Sequence, residues 1–111
     1  MDLRIKAWLL DIKRSIEEIY SFLPERRDFL EYQQDLKTKK AVERNLEIIG
    51  EAVRRILNAE DSFPIINAKR IIGTRNRIIH DYDNISDEII WAIVTRELPK
   101  LEEEIEGLIK E

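Results

Sequence analysis

The chain has 111 residues, with 19 Lys+Arg, 23 Asp+Glu, one His and no Cys, for a formal charge of −4 at pH 7. That length suits a single domain spanning residues 1–111 with one modest core; apolar residues at 43% exceed what disorder allows, and charged residues at 38% exceed what a membrane protein tolerates. Without Cys there is no disulfide, thiol nucleophile or thiolate site, and a single His excludes an intrachain His-rich metal site, so no metal and no cofactor are expected.

The opening M-D-L-R-I-K lacks the apolar stretch of a signal peptide, so a cytoplasmic protein is expected. The first helix is predicted from Asp2 to about Phe22. Ile5, Leu9, Ile12, Ile16, Ile19 and Leu23 recur at steps of four and three, with charged residues largely off that stripe. Pro24 lies just past its end. Over residues 25–35, Phe29, Leu30 and Tyr32 suggest a short helix capping the bundle.

Lys37–Asn58 is a second strong helix. Val42, Leu46, Ile49, Val53 and Ile56 form its stripe, and Ala41, Ile48 and Ala52 widen it, which makes this helix central. Gly50 inside it costs ~1 kcal/mol relative to Ala. Close approach of another helix would explain it. Asp61 to Pro64 is a turn cluster and the clearest break.

Helix is predicted again from Ile65 to Ile79 or His80, followed by a loop over Asp81–Ile85. Ser86 is a candidate N-cap, with Asp87 and Glu88 well placed for the helix dipole. The last helix should reach about Ile109. It holds the longest unbroken apolar run, Ile89–Val94, whose six residues fall far short of a membrane span and of the ~20 that such a span needs. Pro99 should kink or split this helix, having no amide hydrogen and crowding the preceding turn. Gly and Pro total six, too few for a turn-rich β architecture. The expected fold is all-α, an antiparallel up-and-down bundle of four to five helices.

One stretch does not fit a plain bundle: Gly73-Thr74-Arg75-Asn76-Arg77-Ile78-Ile79-His80-Asp81-Tyr82. Ala68, Ile72, Arg75, Ile79 and Tyr82 fall on one stripe, so Arg75 occupies a core position. Asn76 and His80 share another face, and Gly73 leaves the backbone accessible on that side. Polar groups of this kind line a helix only when paired or used. Arg75 and His80 lie about 140° apart around a regular helix. They could converge if the helix ends near His80, or if the face meets a symmetric partner. The simpler alternative is structural: His80 bonds the last carbonyls, and Arg75 pairs with a carboxylate such as Glu51.

The segment R-N-R-I-I-H-D-Y, Arg75 to Tyr82, resembles the R-x-x-x-x-H-x-Y signature of the HEPN superfamily, in its HepT-like branch. N-L-E-I-I-G-E-A (Asn45 to Ala52) is similar to that branch's central helix, and L-P-K-L (Leu98 to Leu101) to its final-helix proline region. The resemblance implies a HEPN-like helical bundle that forms a homodimer and cuts RNA without metal, as the toxin of a toxin–antitoxin pair. It implies Arg75 and His80 as the catalytic pair, supported by Asn76. It also implies a minimal nucleotidyltransferase as antitoxin, silencing the enzyme by transferring AMP to the motif tyrosine, here Tyr82.

The residue types suit that chemistry. Cleavage through the adjacent 2′-hydroxyl needs a base and an acid, and histidine, with an unperturbed pKa of ~6.5, suits either role. A planar guanidinium can hold two oxygens of the phosphate as charge gathers there. If both acid and base are His, one His per chain asks for a dimer.

The net charge argues mildly against RNA. Yet Lys69, Arg70 and Arg77 cluster with Arg75 and are candidate RNA contacts, while Lys37, Lys39, Lys40 and Arg44 form a second basic group. Each cluster could equally be a solvated face. Glu51 is a candidate partner orienting Arg75 or His80. Trp8 and Trp91 are expected in the core or an interface rather than as base platforms. Two other functions compete: a non-catalytic helical dimer binding a nucleotide or a protein partner, and a structural bundle with no site.

Overall fold

Four of the helices begin where an acid or hydroxyl accepts from free backbone N–H groups. The computed structural model describes residues 2–66, 68–80 and 86–110, without the side chains of Ala68, Lys69 and Ile79. Asp2 accepts from the Arg4 N–H and opens α1, Leu3–Phe22. Asp28 accepts from Leu30 and Glu31 and opens the short α2, Phe29–Gln34. Asp35 does two jobs. Its N–H donates to the Tyr32 carbonyl to end α2, and its carboxylate accepts from the Thr38 N–H and hydroxyl to start α3, Leu36–Ala59.

The apolar stripes then decide the packing. Leu9, Ile12, Ile16 and Ile19 of α1 are fully buried against α3, whose Val42, Ile49, Val53 and Ile56 are buried in turn. Each such side chain contributes ~1.5–3 kcal/mol when withdrawn from water. α3 is central as expected: α1, α2 and α4 all pack on it.

α4 spans Ala68–His80, and it starts three residues later than the periodicity predicts. Ile65 and Ile66 are held in other bonds. The Glu60 carbonyl accepts from the Phe63 N–H and the Phe63 carbonyl from the Ile65 N–H. The Ile66 N–H donates to the Glu104 carboxylate at 3.2 and 3.3 Å.

Ser86 caps α5, Asp87–Ala92, by accepting from the Ile89 N–H at 3.2 Å. α5 continues through a π-helical turn, Ile93–Glu97, into α6, Leu98–Lys110. Ala92, Ile93 and Leu98 all keep right-handed helical angles, so Pro99 does not split the rod. Instead the turn before it widens: the Leu98 N–H reaches back five residues to Ile93. That wider turn relieves the crowding between the proline ring and the preceding turn. The Thr95 hydroxyl donates to the Trp91 carbonyl nearby at 2.8 Å.

α6 packs on α1. The arrangement is an all-helical bundle, without strands among the described residues. No described helix is long and apolar enough to cross a membrane.

Candidate functional site

The site is built on the seam between α3 and α4. A Cβ placed on Gly50 would lie 2.3 Å from the Arg75 Cβ and 3.2 Å from the Ile71 carbonyl oxygen. No side chain fits there, so Gly50 is what lets α4 lie against α3 at the level of Arg75. The close approach anticipated from the sequence is thus present, and Arg75 is the residue it admits. Gly73, by contrast, has nothing within 4 Å of its Cβ position.

Next to the seat is the clamp. Glu51 Oε2 lies 2.9 Å from Arg75 Nη2, with both side chains about three-quarters buried. Arg75 Nη1 donates to Asn76 Oδ1 at 2.9 Å. Glu51 also accepts from Arg54 at 2.8 and 3.1 Å and from Arg55 at 3.2 Å. The Arg54 hydrogen bonds hold the Glu51 carboxyl below its ordinary value, helped by the charges of Arg75 and Arg55, while desolvation acts the other way. One carboxylate therefore gathers three guanidiniums. Arg75 Nε is buried and has no partner among the described residues, so the group is not fully satisfied internally.

His80 is the last residue of α4 and is exposed. No hydrogen bond or ion pair joins it to Arg75, which turns inward toward Glu51. Asn76 and Arg77 are exposed as well. The described part of α4 runs to His80; the residues that follow, on which one of the two conditions for convergence depends, lie outside the described residues. Arg70 points to the other flank of α4, where it pairs with Glu97 at 3.0 Å. The structure thus separates Arg70 from Arg75. The Lys69 side chain, Tyr82 and the expected Asp81–Ile85 loop lie outside the described residues. In the second basic cluster, Lys39 pairs with Asp87 at 3.0 Å and ties α3 to the start of α5. Among the described residues, no group of three or more His, Asp or Glu could hold a metal.

Two hollows flank α4. On the α1 side is a cleft of about 310 Å³, with Trp8 and Asp11 from α1, Arg75 from α4, and a floor from α3 between Arg44 and Arg55. On the α6 side is a groove of about 430 Å³, lined by Leu46, Ile49, Ile71, Ile93 and Leu101 and edged by charged residues. Trp91 packs as expected, 5.0 Å from Tyr32 and 6.0 Å from Phe29 between ring centres. Trp8 is only half-buried and lines the polar cleft.

Arg54 and Arg55 are the site residues that sequence reasoning missed. Their signal was present: they stand three and four positions after Glu51, the spacing at which a helix brings acid and base together.

A family model described as ribonuclease HepT-like matches residues 12–108. Two relatives come from Methanocaldococcus jannaschii. One, provisionally named RNase MJ0127, is 39% identical over 110 residues, covering 96% of this chain and 88% of that protein. The other, provisionally named RNase MJ1380, is 38% identical over 103 residues, covering 92% and 94%. A protein of Thermococcus cleftensis named as a probable ribonuclease HepT is 36% identical over 106 residues, covering 95% and 96%. No solved structure gives a significant match.

Proposed function

The chain belongs to the HepT-like ribonuclease family, and on that footing we propose that it is a metal-independent endoribonuclease, the toxin of a toxin–antitoxin pair. The observation that carries this reading is the Arg75 seat. A glycine is kept inside a helix so that an arginine can sit at a core position, clamped by Glu51 and Asn76 five residues before an exposed histidine. Arginine is costly to bury, and a plain bundle would place an apolar residue there.

In this reading the RNA 2′-hydroxyl oxygen attacks the adjacent phosphorus. A histidine takes the 2′ proton, the bond to the 5′ oxygen breaks, and an acid returns a proton to that oxygen. The products are a 2′,3′-cyclic phosphate and a 5′-hydroxyl. Arg75 holds the phosphate oxygens, and Glu51 and Asn76 limit its rotamers so that little ordering is left for the reacting complex. His80 serves as base, and His80 of a second copy as acid. This calls for a homodimer whose two-fold axis passes near the Asn76–His80 face. An exposed side chain, as that of His80 is, suits that arrangement. The scarcity of His and absence of Cys favour metal-free chemistry.

Regulation is proposed to follow the family resemblance. A nucleotidyltransferase antitoxin would transfer AMP from ATP to the Tyr82 oxygen, releasing pyrophosphate. The added phosphate would compete with RNA for the guanidinium and block the site. The experiment is direct: the purified protein is incubated with single-stranded RNA in excess chelator, alone and after co-expression with its transferase. Cut RNA bearing cyclic phosphate ends is the expected result. Co-expression should abolish cutting and add the mass of AMP, with no added mass in Tyr82→Phe. RNA that is bound but never cut would instead mean a non-catalytic binding dimer.

A further inference from the structure

We propose that the cleft between α1 and α3 is a nucleotide subsite of the RNA-binding surface, with the nucleotide next to the cut placing its base on Trp8 and its phosphate on Arg55. This rests on the ribonuclease reading and deepens it.

The argument begins with Trp8. The other tryptophan packs its ring against Tyr32 and Phe29, whereas Trp8, equally half-buried, has no aromatic partner among the described residues and lines a polar cleft. An aromatic ring that packs partly on the core and also lines a cleft offers a surface on which a base can stack. Ile48 and Ala52 form an apolar part of the floor. At about 310 Å³ the cleft is large enough for a mononucleotide unit, at the low end of the ~300–1,000 Å³ of ligand-sized pockets.

Charge is the second observation. Each acid of the cleft already has a basic partner: Asp11 faces Arg14 at 3.9 Å, Glu47 faces Arg44 at 3.1 Å, and Glu51 serves Arg54, Arg55 and Arg75. The lining itself is balanced, with Arg44, Arg55 and Arg75 against Asp11, Glu47 and Glu51, on a chain whose overall charge is −4; Arg14 and Arg54 add positive charge from just outside it. The positive excess is local to Glu51, where one carboxylate stands against Arg54, Arg55 and Arg75. An anion reaching Arg55 there gains attraction without displacing the acid. Arg75 belongs to the same cleft, so a phosphate on Arg55 and another on Arg75 could be neighbours on one strand.

The test uses Trp91→Phe protein, in which Trp8 is the sole indole, titrated with a 2′-O-methyl RNA octamer that cannot supply the attacking hydroxyl. Saturable quenching of Trp8 emission is expected. Arg55→Ala should weaken binding about tenfold. Trp8→Leu, which keeps an apolar contact with the core but removes the stacking face, should raise KM for unmodified RNA about tenfold with kcat within about twofold. Unchanged Trp8 emission while the octamer binds, with normal KM in both variants, would overturn the subsite and leave the ribonuclease reading standing. Absence of any RNA binding or cutting would overturn both. Trp8 emission that follows protein concentration and ignores RNA would assign the cleft to a second copy of the chain, and overturn the proposal.

Discussion

On its α1 side, α4 borders a cleft of arginines, acids and one tryptophan; on its α6 side, it borders a groove of isoleucines and leucines. The polar flank is organised by a single carboxylate, Glu51, which fixes the positions of three guanidiniums. The apolar flank is crossed by two polar ties, Arg70 to Glu97 and Glu104 to the Ile66 N–H. The difference is instructive. Charges on the first flank converge on one carboxylate, whereas those on the second join two elements and could be exchanged for other ties. Both flanks depend on one contact, the seat of Arg75 against Gly50.

The sharpest break of this comparison is in activity. Arg75→Ala or His80→Ala should reduce RNA cleavage at least ~100-fold, within the usual range for losing a positioned acid, base or charge. Thermal unfolding should change little, because Glu51 keeps Arg54 and Arg55 when Arg75 is gone. Cleavage undiminished in both variants would refute the assignment.

Next in size is a paired glycine test read by chemical denaturation. Gly50→Ala should destabilise by about 1–3 kcal/mol through overpacking, outweighing the ~1 kcal/mol gained in helix propensity. The same change at Gly73, where the Cβ meets nothing, should stabilise by about 0.5–1 kcal/mol. Equal effects at the two sites would mean that the seat is not tight.

A third variant, Glu51→Gln, bears on the polar flank alone. Glu51 has its pKa lowered in the folded chain. Its stabilising contribution is therefore complete above the ordinary glutamate pKa of ~4.3 and is lost as pH falls through the lower folded value. Wild type should lose stability across that acid window more steeply than the variant. At neutral pH the variant should cost about 1–3 kcal/mol, since the partly buried Arg75 loses its counter-charge.

Smallest is Glu104→Gln on the apolar flank. It weakens the acceptor for the Ile66 N–H and should cost no more than about 1 kcal/mol, with cleavage rates unchanged. A large loss of activity would mean that the two flanks are not separable.

How far the sequence could anticipate this depends on the distance over which each feature is decided. The stripes of α1 and α3 were legible because helical period and burial agree residue by residue, from Ile5 to Ile19 and from Val42 to Ile56. Arg75 was legible as a departure from a stripe, and Gly50 as a glycine inside a helix that a close neighbour would explain. The late start of α4 was not, because Ile66 is tied to a glutamate 38 residues away. Trp8 packs partly on the core, as its spacing allows, and its place on the cleft was not legible because only the packing of α1 beside α3 creates that cleft. Arg70 was read with Arg75 because they are close in sequence, yet five positions turn a side chain onto the opposite flank.

The π-helical turn before Pro99 has a consequence for the rod that contains it. Five residues there span what four span in an ordinary turn, so Ile93–Glu97 amounts to one extra residue stored as a bulge. The apolar stripe of α5 and that of α6 are thereby set out of phase by the angle of one residue, about 100°. Ile90 and Ile105 both reach the interior; ordinary winding would set them about 60° apart, and the absorbed residue brings them to about 40° on the other side, so one buried face accommodates both. Shortening the chain by one residue within this turn, at exposed Thr95 for instance, would return it to ordinary winding while keeping both faces aimed inward. The segment is thus a length adjuster, at which the final helix can gain or lose a residue without being re-aimed.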